Sequence, residues 1–308
     1  MPPEETRRSR PFVLAAVVSA MRPRQWVKNL VVFAALLFAG RLTDRASLLA
    51  AVAAFVLFCA TSGAIYIVND LADAERDRHH PVKSRRPIAS GDLGRVSAIV
   101  AVVVLLVGAL LTAFTMSPPF GAVLLTYAAL NLAYSFRLKD VVIIDVMVIA
   151  AGFVLRAVGG GLMIDVEIST WLVLCTILLS LFLAFCKRRQ ELESLDNAEA
   201  HRTALKDYSV EFIDQMINVV TASTVTAYMF YTVSPEVESK LHTQYLYLTV
   251  PFVLYGIFRY LFLVHQRGEG GNPTQALLTD RPLLLCVALY VITVVVLLYV
   301  AHPGTGST

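Results

Sequence analysis

The run Asn69-Asp70-Leu71-Ala72-Asp73-Ala74-Glu75-Arg76-Asp77 begins where a long apolar stretch, ending at 65–68, stops. On a helix each four-residue step advances about 400°, so Asn69, Asp73 and Asp77 share one face and Asp70 stands about 100° to the side. Such a row of hard oxygen donors suits a divalent cation. Mg²⁺ takes one or two carboxylates, keeps several waters and completes its shell with substrate phosphate oxygens. The row therefore predicts an Mg²⁺ site with Asn69, Asp73 and Asp77 as ligands and Asp70 in support, acting on a phosphorylated substrate. A merely solvated helix end gives no reason for Asp to recur every four positions beside an Asn at an apolar boundary.

The elements that must position this row are membrane helices. Of 308 residues, 57% are hydrophobic and only 16% charged, with a mean hydropathy of +0.66, which is unlike a soluble domain. Mostly apolar windows fall at 26–40, 46–68, 96–114, 118–136, 141–162, 170–186, 212–233, 243–264 and 282–301, each close to the roughly 18 residues or more that a span requires. The expectation is an all-α integral membrane protein of about nine transmembrane helices forming one catalytic domain over 1–308. The start, with Arg7, Arg8, Arg10, Arg22 and Arg24, has no processing site after a short apolar core, so its first span is expected to remain as structure.

Basic residues crowd 1–24, the 69–95 loop, the 137–139 link, the 187–206 loop and the 267–281 loop, whereas 117–120 has none, 163–170 is acidic and 235–242 holds only Lys240. By the positive-inside rule the 1–21 segment and the 69–95 and 187–210 loops face the cytoplasm of a plasma-membrane protein, and the 302–308 tail lies outside. The net charge of +3 follows from this asymmetry and gives no support for nucleic-acid binding. Cys59, Cys175, Cys186 and Cys286 have no CxxC or Cys/His spacing, which argues against zinc and against a disulfide framework.

A second polar run, Lys187-Arg188-Arg189-Gln190-Glu191-Leu192-Glu193, follows the sixth span as the acidic run follows the second. An offset of four helices returns the chain to the same side of the membrane, which predicts two parallel four-helix units plus one further helix.

These residues resemble the UbiA-type polyprenyl transferases, membrane enzymes with an NDxxDxxxD motif after the second helix, complete here from Asn69 to Asp77. The resemblance extends to Arg22-Pro23-Arg24-Gln25-Trp26-Val27-Lys28-Asn29, to Lys83-Ser84-Arg85-Arg86-Pro87-Ile88-Ala89-Ser90-Gly91 and to Tyr134-Ser135-Phe136-Arg137-Leu138-Lys139. It departs at the second aspartate-rich motif of that family, which Lys187-Arg188-Arg189-Gln190-Glu191 replaces. Two acidic motifs commonly hold a prenyl diphosphate, whereas a cationic second site suits a substrate with an additional phosphate. That run, with Gly270-Gly271-Asn272-Pro273-Thr274 and Leu278-Thr279-Asp280-Arg281-Pro282, resembles the actinobacterial branch that makes decaprenylphosphoryl-5-phosphoribose.

The resemblance implies transfer of 5-phosphoribose from 5-phosphoribosyl 1-diphosphate to decaprenyl phosphate, with release of diphosphate, for cell-wall arabinan precursors. Mg²⁺ on Asn69, Asp73 and Asp77 would bind the diphosphate, and attack by the lipid phosphate from the opposite face would invert C1. Lys83, Arg85 and Arg86 are expected to fold over the diphosphate. Lys187, Arg188 and Arg189 are expected to hold the 5-phosphate, and Glu191, one turn beyond Lys187, to accept a ribose hydroxyl or help the metal. Arg22 and Lys28 would draw in the lipid phosphate, while Tyr134 and Lys139 close the rim. The competing reading keeps the fold but moves a polyprenyl group from its diphosphate to an aromatic or other small acceptor; the missing second DxxxD motif counts against it. A transporter would scatter charges through interrupted helices near mid-membrane. The sequence leaves association into a homo-oligomer open.

Asp145 and Arg156 fall within or close to the fifth span, where an ionised side chain must face the bundle interior. They are about three turns apart, too far for direct contact. Gly159-Gly160-Gly161 lacks the Lys-Ser/Thr pair of a phosphate loop and predicts a tight turn or close helix packing.

Overall fold

The computed structural model describes residues 13–193 and 207–300, which are helices and their connections throughout. Most of the expected 1–21 segment, with Arg7, Arg8 and Arg10, the 194–206 part of the 187–210 loop, and the 302–308 tail lie outside the described residues. The chain opens with α1 (Val13–Ala20), a 3₁₀ segment (Pro23–Val32) and α2 (Phe33–Phe38). The helices α3 (Arg45–Ala72), α4 (Ala74–Arg78), α5 (Arg95–Met116), α6 (Pro118–Phe136), α7 (Ile144–Met163) and α8 (Thr170–Glu193) follow. The remainder is α9 (Val210–Thr232), α10 (Pro235–Leu241), α11 (Val250–Arg267), α12 (Pro273–Thr279) and α13 (Arg281–Val295), which ends in one π turn, Val296–Val300.

Among the described residues seven helices are long and apolar enough to cross a membrane, and eight if α9 and α10, bent by 58°, count as one span. The remaining expected span, 26–40, is not a regular long helix. Pro23 stands at its start after Arg22 at φ 56°, and the polar residues from Arg24 to Asn29 follow. A ten-residue 3₁₀ segment rises about 20 Å and the six residues of α2 about 9 Å, together close to the roughly 30 Å of a hydrocarbon core. Its ends fit a crossing: Arg22 bonds Asp70 at the end of α3, and Arg41, just beyond α2, bonds the Ile164 carbonyl past the end of α7 at 3.1 Å.

Helix starts follow local chemistry. Asp44 accepts from Ala46 and Ser47 ahead of α3, Ser117 from Phe120 ahead of α6, Ser209 from Phe212 ahead of α9 and Asp280 from Leu283 ahead of α13, each satisfying an otherwise orphaned N–H. Proline stands first in α6, α10 and α12 and second in α11 and α13, where its missing N–H costs nothing.

The packing is that of a bundle in hydrocarbon. Helix α5 buries only Ala98, Ala109 and Ala113 and exposes Val96, Val100, Val103, Val104, Val107 and Leu111; small residues meet neighbours while large apolar ones face outward. One core joins Val32 with residues of α3, α5 and α6 around Phe58, Phe120 and Tyr127. Another joins Val146 to α8, α9 and α11 around Phe182, Ile213, Ile217 and Tyr260. The two cores follow the expected division into four-helix units. Gly160 brings α7 against the first crossing so closely that a Cβ there would lie 2.1 Å from the Val32 carbonyl oxygen.

Candidate active site

The acidic run does not continue as one straight helix. Helix α3 stops at Ala72, Asp73 takes φ −94° and ψ 2°, and α4 begins at Ala74. The i, i+4 spacing survives the kink, because Asp73 N–H donates to the Asn69 carbonyl (3.0 Å) and Asp77 N–H to the Asp73 carbonyl (2.8 Å). The buried carboxylates, however, are Asp70 and Asp77. Arg86 joins them, its Nη1 lying 3.1 Å from Asp70 and 2.5 Å from Asp77, and Arg22 reaches Asp70 from the other side with its guanidinium over the Tyr66 ring. Among the described residues Asp73 keeps only a 3.6 Å pair with Arg76, and it stays one-third exposed; Asn69 is half-buried.

Among the described residues no three His, Cys, Asp or Glu side chains form a closed metal cage. The donor set nonetheless fits Mg²⁺, which requires only one or two carboxylates when substrate phosphate and water complete its shell. Asp73, with Asn69 and Asp77 one turn to either side, supplies the hard oxygens.

The second polar run is helical, not a loop: α8 extends through it to Glu193. The cause is pairing along the helix, Lys187 with Glu191 at 3.6 Å, Arg188 with Glu191, and Arg189 with Glu193 at 2.7 Å. Arg188 is fully buried; its Nε donates to Asp145 at 2.6 Å and its Nη2 to the Tyr134 hydroxyl at 2.9 Å. Arg189 donates to Asp214 at 2.7 Å. Arg188 and Arg189 therefore spend much of their donor capacity on carboxylates of this chain, a different occupation from the expected grip on a phosphate. Glu191 answers Lys187 and Arg188.

Asp145 also accepts from the Tyr208 hydroxyl at 2.9 Å, and that hydroxyl accepts from the Ile143 N–H at 2.7 Å. Burial pushes the Tyr208 phenol up to about 12, and the Asp145 carboxylate adds to the effect, so this donor keeps its proton at neutral pH. The bond also steadies Ile143, a β-branched residue held at φ 68°.

About three turns along α7 from Asp145 stands Arg156, also buried. It donates from Nε to Asn29 (2.7 Å), from Nη1 to the Gly152 carbonyl (2.8 Å) and from Nη2 to the Tyr127 hydroxyl (2.6 Å). It does not meet Asp145, in accord with the three-turn separation. Lys28, on the 3₁₀ segment, is half-buried.

Of the other expected residues, Lys83 is half-buried and Arg85 exposed on the short turn Lys83–Arg85, while Lys139 is half-buried on the turn Leu138–Asp140. Only Arg86 of the three cations after the acidic run joins it. Gly271 packs on Gln190, a Cβ there lying 3.1 Å from its Oε1, so the 270–274 loop touches the basic run. The site residues that sequence reasoning missed are Asn29, Tyr127, Tyr208 and Asp214. Asp145 and Arg156 carried a signal as ionisable residues in an apolar span, but tyrosines and an asparagine near a membrane surface do not stand out.

The family model described as "UbiA prenyltransferase family" matches residues 29–279. A decaprenyl-phosphate phosphoribosyltransferase of Mycolicibacterium smegmatis is 32% identical over 299 residues, covering 93% of each chain. One of Mycobacterium tuberculosis is 34% identical over 287 residues, 92% of this chain and 94% of its own. The structure of a UbiA homologue from Archaeoglobus fulgidus bound to GPP and Mg²⁺ superposes with a TM-score of 0.70 at 20% identity, over 92% of this chain and 100% of that one.

Proposed function

Because this chain belongs to the UbiA prenyltransferase family, we infer that it works as a membrane transferase, moving 5-phosphoribose from 5-phosphoribosyl 1-diphosphate to decaprenyl phosphate. The C1–O bond to diphosphate breaks with its electron pair leaving on the diphosphate, a phosphate oxygen of the lipid forms the new bond to C1, and diphosphate departs. The attacking phosphate is an anion near pH 7 and requires no general base. The 22, 70, 86 and 188 end of the bundle faces the cytoplasm of the plasma membrane, on the strength of the Lys and Arg asymmetry between loops.

Asn69, Asp73 and Asp77 would hold the Mg²⁺, which when bound there with the diphosphate offsets the charge that builds on the leaving group. Arg86 fixes Asp70 and Asp77 as one unit and turns its other N–H groups to diphosphate oxygens. Lys83 and Arg85 flank it. Arg188, locked to Asp145, Tyr134 and Glu191, orients Glu191 for a ribose hydroxyl, and Glu191 in turn pairs with Lys187.

The observation that carries this reading is the second site, where a basic run organised around a buried arginine stands in place of a second acidic motif. Relatives named for this reaction match over nine-tenths of both chains. The test uses the purified protein in detergent with Mg²⁺, decaprenyl phosphate and labelled 5-phosphoribosyl 1-diphosphate, beside a labelled polyprenyl diphosphate with an aromatic acid. Label passing from sugar donor to lipid is the expected result. Transfer only from the prenyl diphosphate would overturn it.

A further inference from the structure

Among the described residues, Lys28 and Arg156 have no carboxylate partner. Lys28 makes no hydrogen bond or ion pair among the described residues, although it is half-buried, and the charges acting on it are those of Lys187, Arg156 and Arg22, all positive. Arg156 is buried without a carboxylate among its partners. Its contacts are the neutral Asn29, Gly152 carbonyl and Tyr127, with its guanidinium 4.6 Å from the Tyr127 ring centre and 5.2 Å from that of Phe153. Those contacts use three of the five guanidinium N–H groups and leave two free. Aromatic faces and amide oxygens ease a buried cation but do not neutralise it.

The neighbouring arginines differ. Arg188 has Asp145 and Glu191, and Arg189 has Asp214 and Glu193. Uncompensated charge among the described residues therefore falls at Lys28 and Arg156, and that of Arg156 is held in place. Asn29, anchored through its amide to Cys59 and Ser62, fixes the Arg156 Nε. The anchor lies eight residues before Asp70 on α3, about 12 Å along the helix, so this charge is separate from the acidic pair.

We propose that Lys28 and Arg156, positioned by Asn29 and Tyr127, form a pocket for a phosphate monoester, the group shared by the sugar donor's 5-phosphate and the lipid acceptor's headgroup. Two neighbouring cations with free N–H groups match the oxygens of one phosphate, and the bound anion offsets their mutual repulsion in a medium of low dielectric. The identity of the two ligands rests on the transfer reading above; the pocket itself does not.

The test measures binding of ribose 5-phosphate and, separately, decaprenyl phosphate to the full chain in detergent. Lys28→Met breaks no hydrogen bond or ion pair among the described residues, so it probes the pocket even where Arg156→Met unfolds the chain. For Lys28→Met the dissociation constant of at least one probe rises about tenfold or more, Lys28→Arg recovers most of it, and Lys240→Met at the opposite end changes neither. The probe affected tells which substrate the pocket holds. Wild-type affinity for both probes in Lys28→Met, or no binding of either by the wild type, overturns the proposal. A wild-type chain that binds phosphate through Lys28 but transfers no label would refute the reaction and leave the pocket standing. Active enzyme with Lys28-independent binding would do the reverse.

Discussion

Arg188 Nε and Asp145 Oδ2 lie 2.6 Å apart, with each side chain only 1% exposed. This bond ties the end of α8 to the start of α7 and turns the basic run toward the bundle axis. The pair is anchored on both flanks, Arg188 by Tyr134 and Glu191, Asp145 by Tyr208. A buried ion pair is economical only when its remaining donors and acceptors are met in this way.

Among the described residues, Asp145→Asn leaves the buried Arg188 with Glu191 as its one charged partner. The expected cost is about 3 kcal/mol, read as a lower unfolding temperature of the purified protein in detergent. Joining it with Arg188→Met recovers much of that stability, since the stranded charge goes too, but does not restore transfer. Additive effects of the two substitutions would show that the pair is not coupled.

Much of this arrangement was legible in the sequence, and the parts that were not have physical reasons. The apolar windows marked the crossings closely, 118–136 without change, because hydrocarbon imposes length on every span. The first crossing was legible as an apolar window but not as a 3₁₀ segment, whose geometry follows from Arg22 at φ 56° ahead of Pro23. The 187–193 stretch read as loop because its charge density argued for water; internal pairing with Glu191 and Glu193 makes it helix instead. The acidic run announced itself by spacing. Which of its carboxylates share Arg86 did not, for that depends on the kink at Asp73. Pairing over long separations, as in Arg156 with Asn29, leaves no local periodicity to read.

Asp73→Ala and Asp77→Ala test the metal assignment by different routes. Asp73 has only a loose partner among the described residues, so its loss should leave the fold intact and abolish Mg²⁺-dependent transfer. Loss of Asp77 also frees Arg86 from one carboxylate, so donor binding should weaken along with turnover. Chelation should silence the wild type and added Mg²⁺ should restore it. Near-normal rates in both variants would sink the assignment.

Gly160→Ala places a methyl group where the Val32 carbonyl oxygen now sits. Backbone must move, at a cost of about 1–3 kcal/mol, and the movement separates the first crossing from α7, which carry Asn29 and Arg156. Transfer should fall more than that loss of stability explains. Gly108→Ala is the matched control: nothing lies within 4 Å of a Cβ there, and replacing a helical glycine is neutral or stabilising. Equal activity in the two variants would show that close packing at Gly160 does not set the site.

Tyr208→Phe removes the acceptor of the Ile143 N–H and a donor to Asp145 in one step. Loss of the Ile143 bond releases a residue held at φ 68°, so the start of α7 should loosen and amide exchange there should quicken. The pH dependence has a definite sign. Burial, with Asp145, raises the phenol from an ordinary value of 10.0 to about 12, so the folded chain keeps a proton that the unfolded chain has lost. Its contribution to stability is fully present below about pH 10 and disappears as the pH climbs toward 12. The wild type should therefore lose stability across that alkaline window more steeply than Tyr208→Phe. Identical alkaline profiles would mean that Tyr208 is not held as a buried donor to Asp145.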